Sequence, residues 1–241
     1  SSNTSAVTGV SAGTSATLTW TVSNGTCTAT DDVVLTNNEN PLADAGDDVT
    51  HCSGLSSSLS ASASGGSGGS YTYSWSPTTG LSSTNVSNPT ASHTSTTTYT
   101  VTVTDGNSCT ATDDVVVSVD AAPSWSNFQH ASATTICQGA TVTTYGQVYK
   151  SGETNNSSSQ AIDNAYLGYS TSNSSVDGVG WTWAAATFQS GSGNNDEFTT
   201  DVTLPSNGTY YLAYKYVDGA CTVYGGTAVS YTHLTLPTNG C

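Results

Sequence analysis

The chain has 241 residues with two lysines, no arginine and 17 acidic residues, a formal net charge of −15. That balance excludes nucleic-acid binding, because neutralising phosphates takes clustered Lys and Arg and only Lys150 and Lys215 exist. It also sets the chain against an anionic membrane surface, and no run of about 20 apolar residues is present to insert into one.

Charged residues make up only 8% of the chain, against roughly 25% in ordinary soluble domains. Ser, Thr, Gly and Asn take their place. Threonine favours extended backbone through its branched Cβ and keeps a strand face wet without charge, so the composition points to a secreted, β-rich surface protein.

In chain order, the first predicted element is a β-hairpin. Leu18-Thr-Trp-Thr-Val-Ser alternates apolar and polar residues up to an Asn24-Gly25 turn, and Cys27-Thr-Ala-Thr-Asp-Asp-Val-Val34 follows. The same eight residues recur letter for letter as Cys109-Thr-Ala-Thr-Asp-Asp-Val-Val116, after Tyr99-Thr-Val-Thr-Val-Thr and an Asp105-Gly106 turn. A third version, Tyr210-Tyr-Leu-Ala-Tyr-Lys-Tyr-Val, turns at Asp218-Gly219 and continues through Cys221. The chain is therefore a tandem array. Residues 1–40 read as the C-terminal part of an incomplete module, 41–120 as a complete one, and 121–228 as a larger one. Two or three strands cannot bury a core alone, so the first module is expected to be completed from outside, in cis or by strand donation in trans.

In the second module, strands are expected at Asp48–Cys52, Ser56–Ala63, Tyr71–Trp75, Thr97–Thr104 and Cys109–Val119, with Gly- and Ser-rich turns between them. Short strands so punctuated predict an all-β fold of tandem sandwich modules. Trp75 is the expected core tryptophan, packed on a disulfide. The third module carries Trp181-Thr-Trp183 and several alternating tyrosines.

Six cysteines and no methionine suggest an oxidising compartment. The module boundaries pair Cys52 with Cys109 and Cys137 with Cys221, although four cysteines allow three connectivities. Each such bridge would contribute about 4 kcal/mol on the chain-entropy model. Cys27 and Cys241 are left unpaired within the chain. No Cys-x-x-Cys or nearby His pair suggests zinc.

The second module resembles the PKD-like, immunoglobulin-like modules of secreted Bacteroidetes surface proteins. The matching residues are Ala43-Asp-Ala-Gly-Asp-Asp48, Tyr71-Thr-Tyr-Ser-Trp-Ser-Pro77, Gly80-Leu81, Asn88-Pro-Thr-Ala91 and Thr98 through Gly106. The resemblance implies a non-catalytic spacer or adhesion role and export by the type IX route. The tail is of another kind: Val229 to Thr238 resembles a translated sequencing adapter, which would make residues 229–241 non-native.

Candidate chemistry is sparse. Asp44, Asp47, Asp48, Asp113 and Asp114 gather carboxylates near a module junction, where Ca²⁺ could take six to eight oxygens, though no EF-hand or nonapeptide pattern appears. The histidines His51, His93, His130 and His233 are scattered and no Gly-x-Ser-x-Gly elbow occurs, so no catalytic centre and no other cofactor is expected. Asp163, Asp196 and Glu197 read as solvated loop acids. Trp181 and Trp183 share one face of a strand by their spacing, as do Tyr214 and Tyr216. With Tyr166 and Tyr169 they are the candidates for stacking on a glycan, and one of these faces must be core. The expected function is a structural or adhesive segment of a large extracellular, cell-surface-attached bacterial protein, a stalk or filament subunit, whose partners are neighbouring modules, copies of itself or glycans. The alternative is an accessory glycan-binding part of a secreted hydrolase.

Overall fold

A computed structural model describes residues 6–67, 69–129, 134–135, 139–154, 160–206, 208–225 and 232–235. All regular structure among them is β-strand, and no helix is long and apolar enough to cross a membrane. The chain divides into two compact units, one made of Ser1–Thr50 and Gly54–Ser118, the other of His51–Ser53 and Val119–Cys241. The architecture is one of tandem immunoglobulin-like β-sandwiches.

The first unit opens with β1 (Thr14–Ser23) and β2 (Thr28–Asn37), which pair only with each other. There follow β3 (Pro41–Asp44), β4 (Val49–Cys52), β5 (Ser57–Ser58), β6 (Ser62–Gly65), β7 (Thr72–Ser76), β8 (Thr90–Ala91), β9 (Thr97–Thr104) and β10 (Thr110–Asp120). One sheet has the order β4-β10-β9-β7, and the pairs β3-β6 and β5-β8 form two further small sheets. Alternation along β9 sends Tyr99, Val101 and Val103 inward, where they meet Trp75, Leu59, Val115 and Val117. The polar atoms of its two largest buried rings are satisfied: the Trp75 indole Nε1 donates to the Val86 carbonyl at 2.9 Å, and the Tyr99 hydroxyl donates to the Thr79 carbonyl at 2.8 Å.

The single strand expected over Ser56–Ala63 is two strands with different partners. Between them the Leu59 and Ala61 amides donate to the Pro89 and Ser87 carbonyls, so the chain leaves β8 and crosses to β3. Leu59 is the inward residue at this crossing and is 2% exposed.

The repeated octapeptide takes the same register in both hairpins. Trp20 lies across from Asp31 as Val101 does from Asp113, and Leu18 across from Val33 as Tyr99 does from Val115. Burial differs completely. Val101, Val103 and Val115 are core, while their counterparts Trp20, Val22 and Val33 are exposed.

The second unit contains β11 (Trp125–Phe128), β12 (Thr134–Thr135), β13 (Thr141–Tyr149), β14 (Asn164–Ser170), β15 (Thr182–Ser192), β16 (Asn195–Thr203), β17 (Thr209–Asp218), β18 (Cys221–Tyr224) and β19 (Thr232–Thr235). Their order is β11-β13-β16-β15-β14-β17-β19-β12, with β18 also on β17. The first part of β15 pairs with β14 and the last with β16, with a register shift between Phe188 and Ser190. The change of partner falls between Ala186 and Thr187, and the bulge, which bends the strand, follows it within the pairing with β16. The layers meet over Leu167, Phe198, Leu212, Tyr214, Tyr216 and Val148. Gly146 on β13 is required by this approach, because a Cβ there would lie 2.6 Å from the Tyr214 ring. In the tail, Thr232–Thr235 continues the sheet beside β17; the rest of residues 229–241, Cys241 included, lies outside the described residues.

The disulfide corrects the expected pairing. Cys52 is bonded to Cys221, and Cys109 is free. The reason is strand length. The Ser53 amide donates to the Asp120 carbonyl at 2.8 Å, so Cys52 sits at the far end of β10, whereas Cys109 precedes its first residue, at the hairpin turn where its amide donates to Asp105 Oδ1 at 2.9 Å. Eleven residues of extended chain separate the two by about 35 Å, and a disulfide needs Cα atoms within about 7 Å. Trp75 therefore packs on aliphatic side chains and Tyr99 rather than on a bridge. Cys27 is exposed and free, and Cys137 lies outside the described residues.

Candidate functional site

The strongest surface feature of the second unit is an aromatic face on its sheet. Along β17, Tyr210, Leu212, Tyr214 and Tyr216 point into the core, which sends Lys215 to the opposite side. Cross-strand pairing sets Tyr166 of β14 and Tyr224 of β18 on either side of Lys215. Trp183 of β15 pairs with Gly168 of β14. Its ring lies over that glycine so closely that a Cβ would come within 2.6 Å of it, so glycine is what lets the indole settle onto the backbone.

The rings and the ammonium form one cluster. Trp181 and Trp183 are stacked with centroids 5.7 Å apart and an interplanar angle of 26°. Tyr224 lies 6.1 Å from Trp183. Lys215 Nζ sits 4.6 Å from the Trp183 centroid and 4.7 Å from that of Tyr166, a double cation–π contact. All five side chains are half-buried. At the margin, the Trp181 Nε1 donates to the Ser175 carbonyl at 3.2 Å, and the Ser175 hydroxyl donates to Asp177. Burial, with the nearby Asp177 charge adding to it, raises the Tyr224 hydroxyl above the usual tyrosine range.

Of the aromatic candidates read from sequence, Trp181, Trp183 and Tyr166 share this face. Tyr214 and Tyr216 are core, stacked on each other at 5.8 Å, and Tyr169 packs against that core. Lys215 was not among the sequence candidates; the isolated glycine at 168 inside a strand was the available sign that a large ring approaches there.

The acidic candidates act as hydrogen-bond acceptors for backbone amides. Asp113 Oδ2 accepts from the Ala45 amide and Asp48 Oδ1 from the Val116 amide, both at 2.8 Å, so each of these two segments caps the other. Asp44 Oδ1 accepts from Gly46 at 2.9 Å. Asp47 and Asp114 are exposed, and no three acids, His or Cys converge to hold a metal among the described residues. In the second unit, buried Asp196 accepts from the amides of Ala161 and Ile162, and Glu197 accepts from Gln147 Nε2. Asp163 accepts from the Gly219 amide.

No family model matches the chain, and no curated protein matches it. Solved structures do. Fibronectin(III)-like modules of Clostridium thermocellum CbhA are 8% identical, with 81% of this chain and 94% of that one covered and a TM-score of 0.45. The I67–I69 I-band fragment of titin is 12% identical, covering 93% and 75%, with a TM-score of 0.35. Domains 4 and 5 of the S-layer protein SbsC are 15% identical, covering 69% and 75%, with a TM-score of 0.26. Likeness at this level says nothing of function, and the sandwich architecture rests on the strands themselves.

Proposed function

We propose that the chain is a load-bearing segment of an extracellular bacterial surface protein, a stalk or filament subunit joined to neighbouring modules or to further copies of itself. The observation that carries this reading is the disulfide's place in the chain. Cys52 and Cys221 are 169 residues apart in sequence. Tension applied to the two chain ends follows the covalent path to Cys52, crosses the sulfurs and leaves from Cys221. Nearly everything between them is spared the load. The bond is also shielded from reductants, since Cys52 is 6% exposed and Cys221 0%. Hydroxyl-rich strand faces and a near-absence of lysine suit a protein that lives outside the cell, and the PKD-like resemblance of the second module agrees, with attachment after type IX export as part of this reading. Pulling the chain from its two ends tests it, because the oxidised chain should yield no extension from between the two cysteines.

The aromatic face favours a second reading, glycan binding, whether by an adhesin or by the accessory part of a hydrolase. Half-buried indole rings gathered on one face of a sheet can contact the apolar face of a sugar. Binding of a hexasaccharide, followed by tryptophan fluorescence, tests this reading.

A further inference from the structure

The exposed hairpin of the first unit repeats a hairpin whose cover is known. Register places Leu18, Trp20 and Val22 of β1 on one face with Asp31 and Val33 of β2, and Thr17, Thr19 and Thr21 on the other. Trp20 is 72% exposed, Val22 54% and Val33 53%. An apolar face left this open marks a site of interaction. In β9 and β10 the same register positions are covered by identifiable groups. Trp75 of β7 lies across from Val101, the position that Trp20 holds in β1. The Ala45 amide donates to Asp113, the counterpart of Asp31, and the Val116 amide donates to Asp48. In the hairpin, Asp31 is exposed. The Asn24 amide donates to the Cys27 carbonyl, bonded pairs alternate from there, and the amide of Val34, the counterpart of Val116, therefore faces away from β1.

We propose that this face receives the front half of another immunoglobulin-like module. Its occupant is a polypeptide that lays a strand along the edge of β1 opposite β2, presents a backbone amide to Asp31 and offers a carboxylate to the Val34 amide, as β7, Ala45 and Asp48 do for β9 and β10. Across from Trp20 that strand carries a small residue, because Trp20 fills volume that Val101 leaves to Trp75. A second copy of the hairpin is the poorer occupant. Two strands of ten residues offer a face of only about 33 by 10 Å, against roughly 800 Å² on each side of a stable dimer. Packing two such faces would also bring together carboxylates, Asp31 on each, with no lysine or arginine in either hairpin. The inference rests on the reading of a segment joined to neighbouring modules and names the joint; the tension path through Cys52 and Cys221 stands without it.

The test mixes the full chain with a fragment of its own sequence, residues 41–93 carrying Trp75→Val, and follows backbone hydrogen exchange by mass spectrometry. Exchange in Thr28–Asn37 should slow as fragment is added, while exchange in Thr110–Asp120, whose cover is already in place, should not change. A fragment that keeps Trp75 should bind about tenfold more weakly through overpacking against Trp20. Asp31→Ala in the full chain should weaken binding by about tenfold, and Asp31→Asn, which keeps an acceptor, should bind nearly as the parent does. Asp31 is exposed, so neither variant disturbs a core. Fusing the fragment ahead of Ser1 makes the encounter intramolecular, so that a low affinity does not hide it. No protection of Thr28–Asn37 in the fused chain overturns the proposal. Protection that is the same with Asp31→Ala, and the same with Trp75 or Val in the fragment, overturns it too. Protection that grows with the concentration of the full chain alone identifies a second copy as the occupant and overturns it as well. None of these outcomes alters the steps expected on pulling the chain from its ends.

Discussion

Trp20 and Val101 occupy the same register in two hairpins that share an octapeptide, yet Trp20 is 72% exposed and Val101 0%. The identical local sequence forms the same ladder with or without a core against it, so the hairpin is encoded locally while its burial comes from β7 and the strands beyond. Threonine at either position keeps β propensity. Val101→Thr buries a hydroxyl among aliphatic side chains and should cost about 1–3 kcal/mol. Trp20→Thr should change stability by no more than about 0.5 kcal/mol in this chain. Urea unfolding of the two variants measures the difference.

Gly146 is where the two layers of the second unit come closest. A methyl group there meets the Tyr214 ring and the Tyr216 hydroxyl, both held by side chains that are fully buried. Gly146→Ala should destabilise the second unit by about 1–3 kcal/mol through overpacking. Gly152→Ala is the poorer site for such an argument, since its Cβ meets nothing and only its positive φ is strained.

High pH should unfold the second unit. Burial raises Tyr214 to about 12, and raises Tyr216 well above its ordinary value. A folded-state pKa above the unfolded one means that the unfolded chain gives up protons first. The stability tied to these hydroxyls is therefore complete below about pH 10 and is lost as pH climbs toward about 12 for Tyr214. Ultraviolet titration should show both ionising together with unfolding, and ionisation before any loss of structure would contradict this.

Calcium should do little. The carboxylates of Asp44, Asp48 and Asp113 already accept backbone amides, and no cluster among the described residues assembles the six to eight oxygens the ion prefers. Millimolar Ca²⁺ should leave the melting temperature where equal Mg²⁺ leaves it. A rise specific to Ca²⁺ would contradict this.

The strands that alternate strictly were legible in the sequence, and those that change partner were not. Thr97–Thr104 was read with its true bounds, because Tyr99, Val101 and Val103 mark one face without interruption. Ser56–Ala63 looked continuous, since serine and alanine carry too little pattern to show that β5 and β6 pair with different strands. The Pro41–Asp44 strand was missed for a similar reason, being four residues opened by a proline. Cysteine pairing failed because module boundaries do not encode which end of β10 a residue occupies. At the aromatic face, spacing put Trp181 and Trp183 together, and likewise Tyr214 and Tyr216. Which pair was core depended on the opposite layer, through Gly146 and Phe198, and that is tertiary information.

The central claim is that the Cys52–Cys221 bond carries tension around the folded modules. Closing a loop of this length contributes about 5 kcal/mol on the chain-entropy model, so Cys221→Ser should also be less stable. Stretching single molecules held at their two ends is the direct measurement. With the bond intact, no unfolding step should release chain from between the cysteines. After reduction, or in Cys221→Ser, the separation of 169 residues should add steps totalling about 60 nm, at roughly 3.5 Å per residue. The same steps in the oxidised and reduced chains would contradict the account.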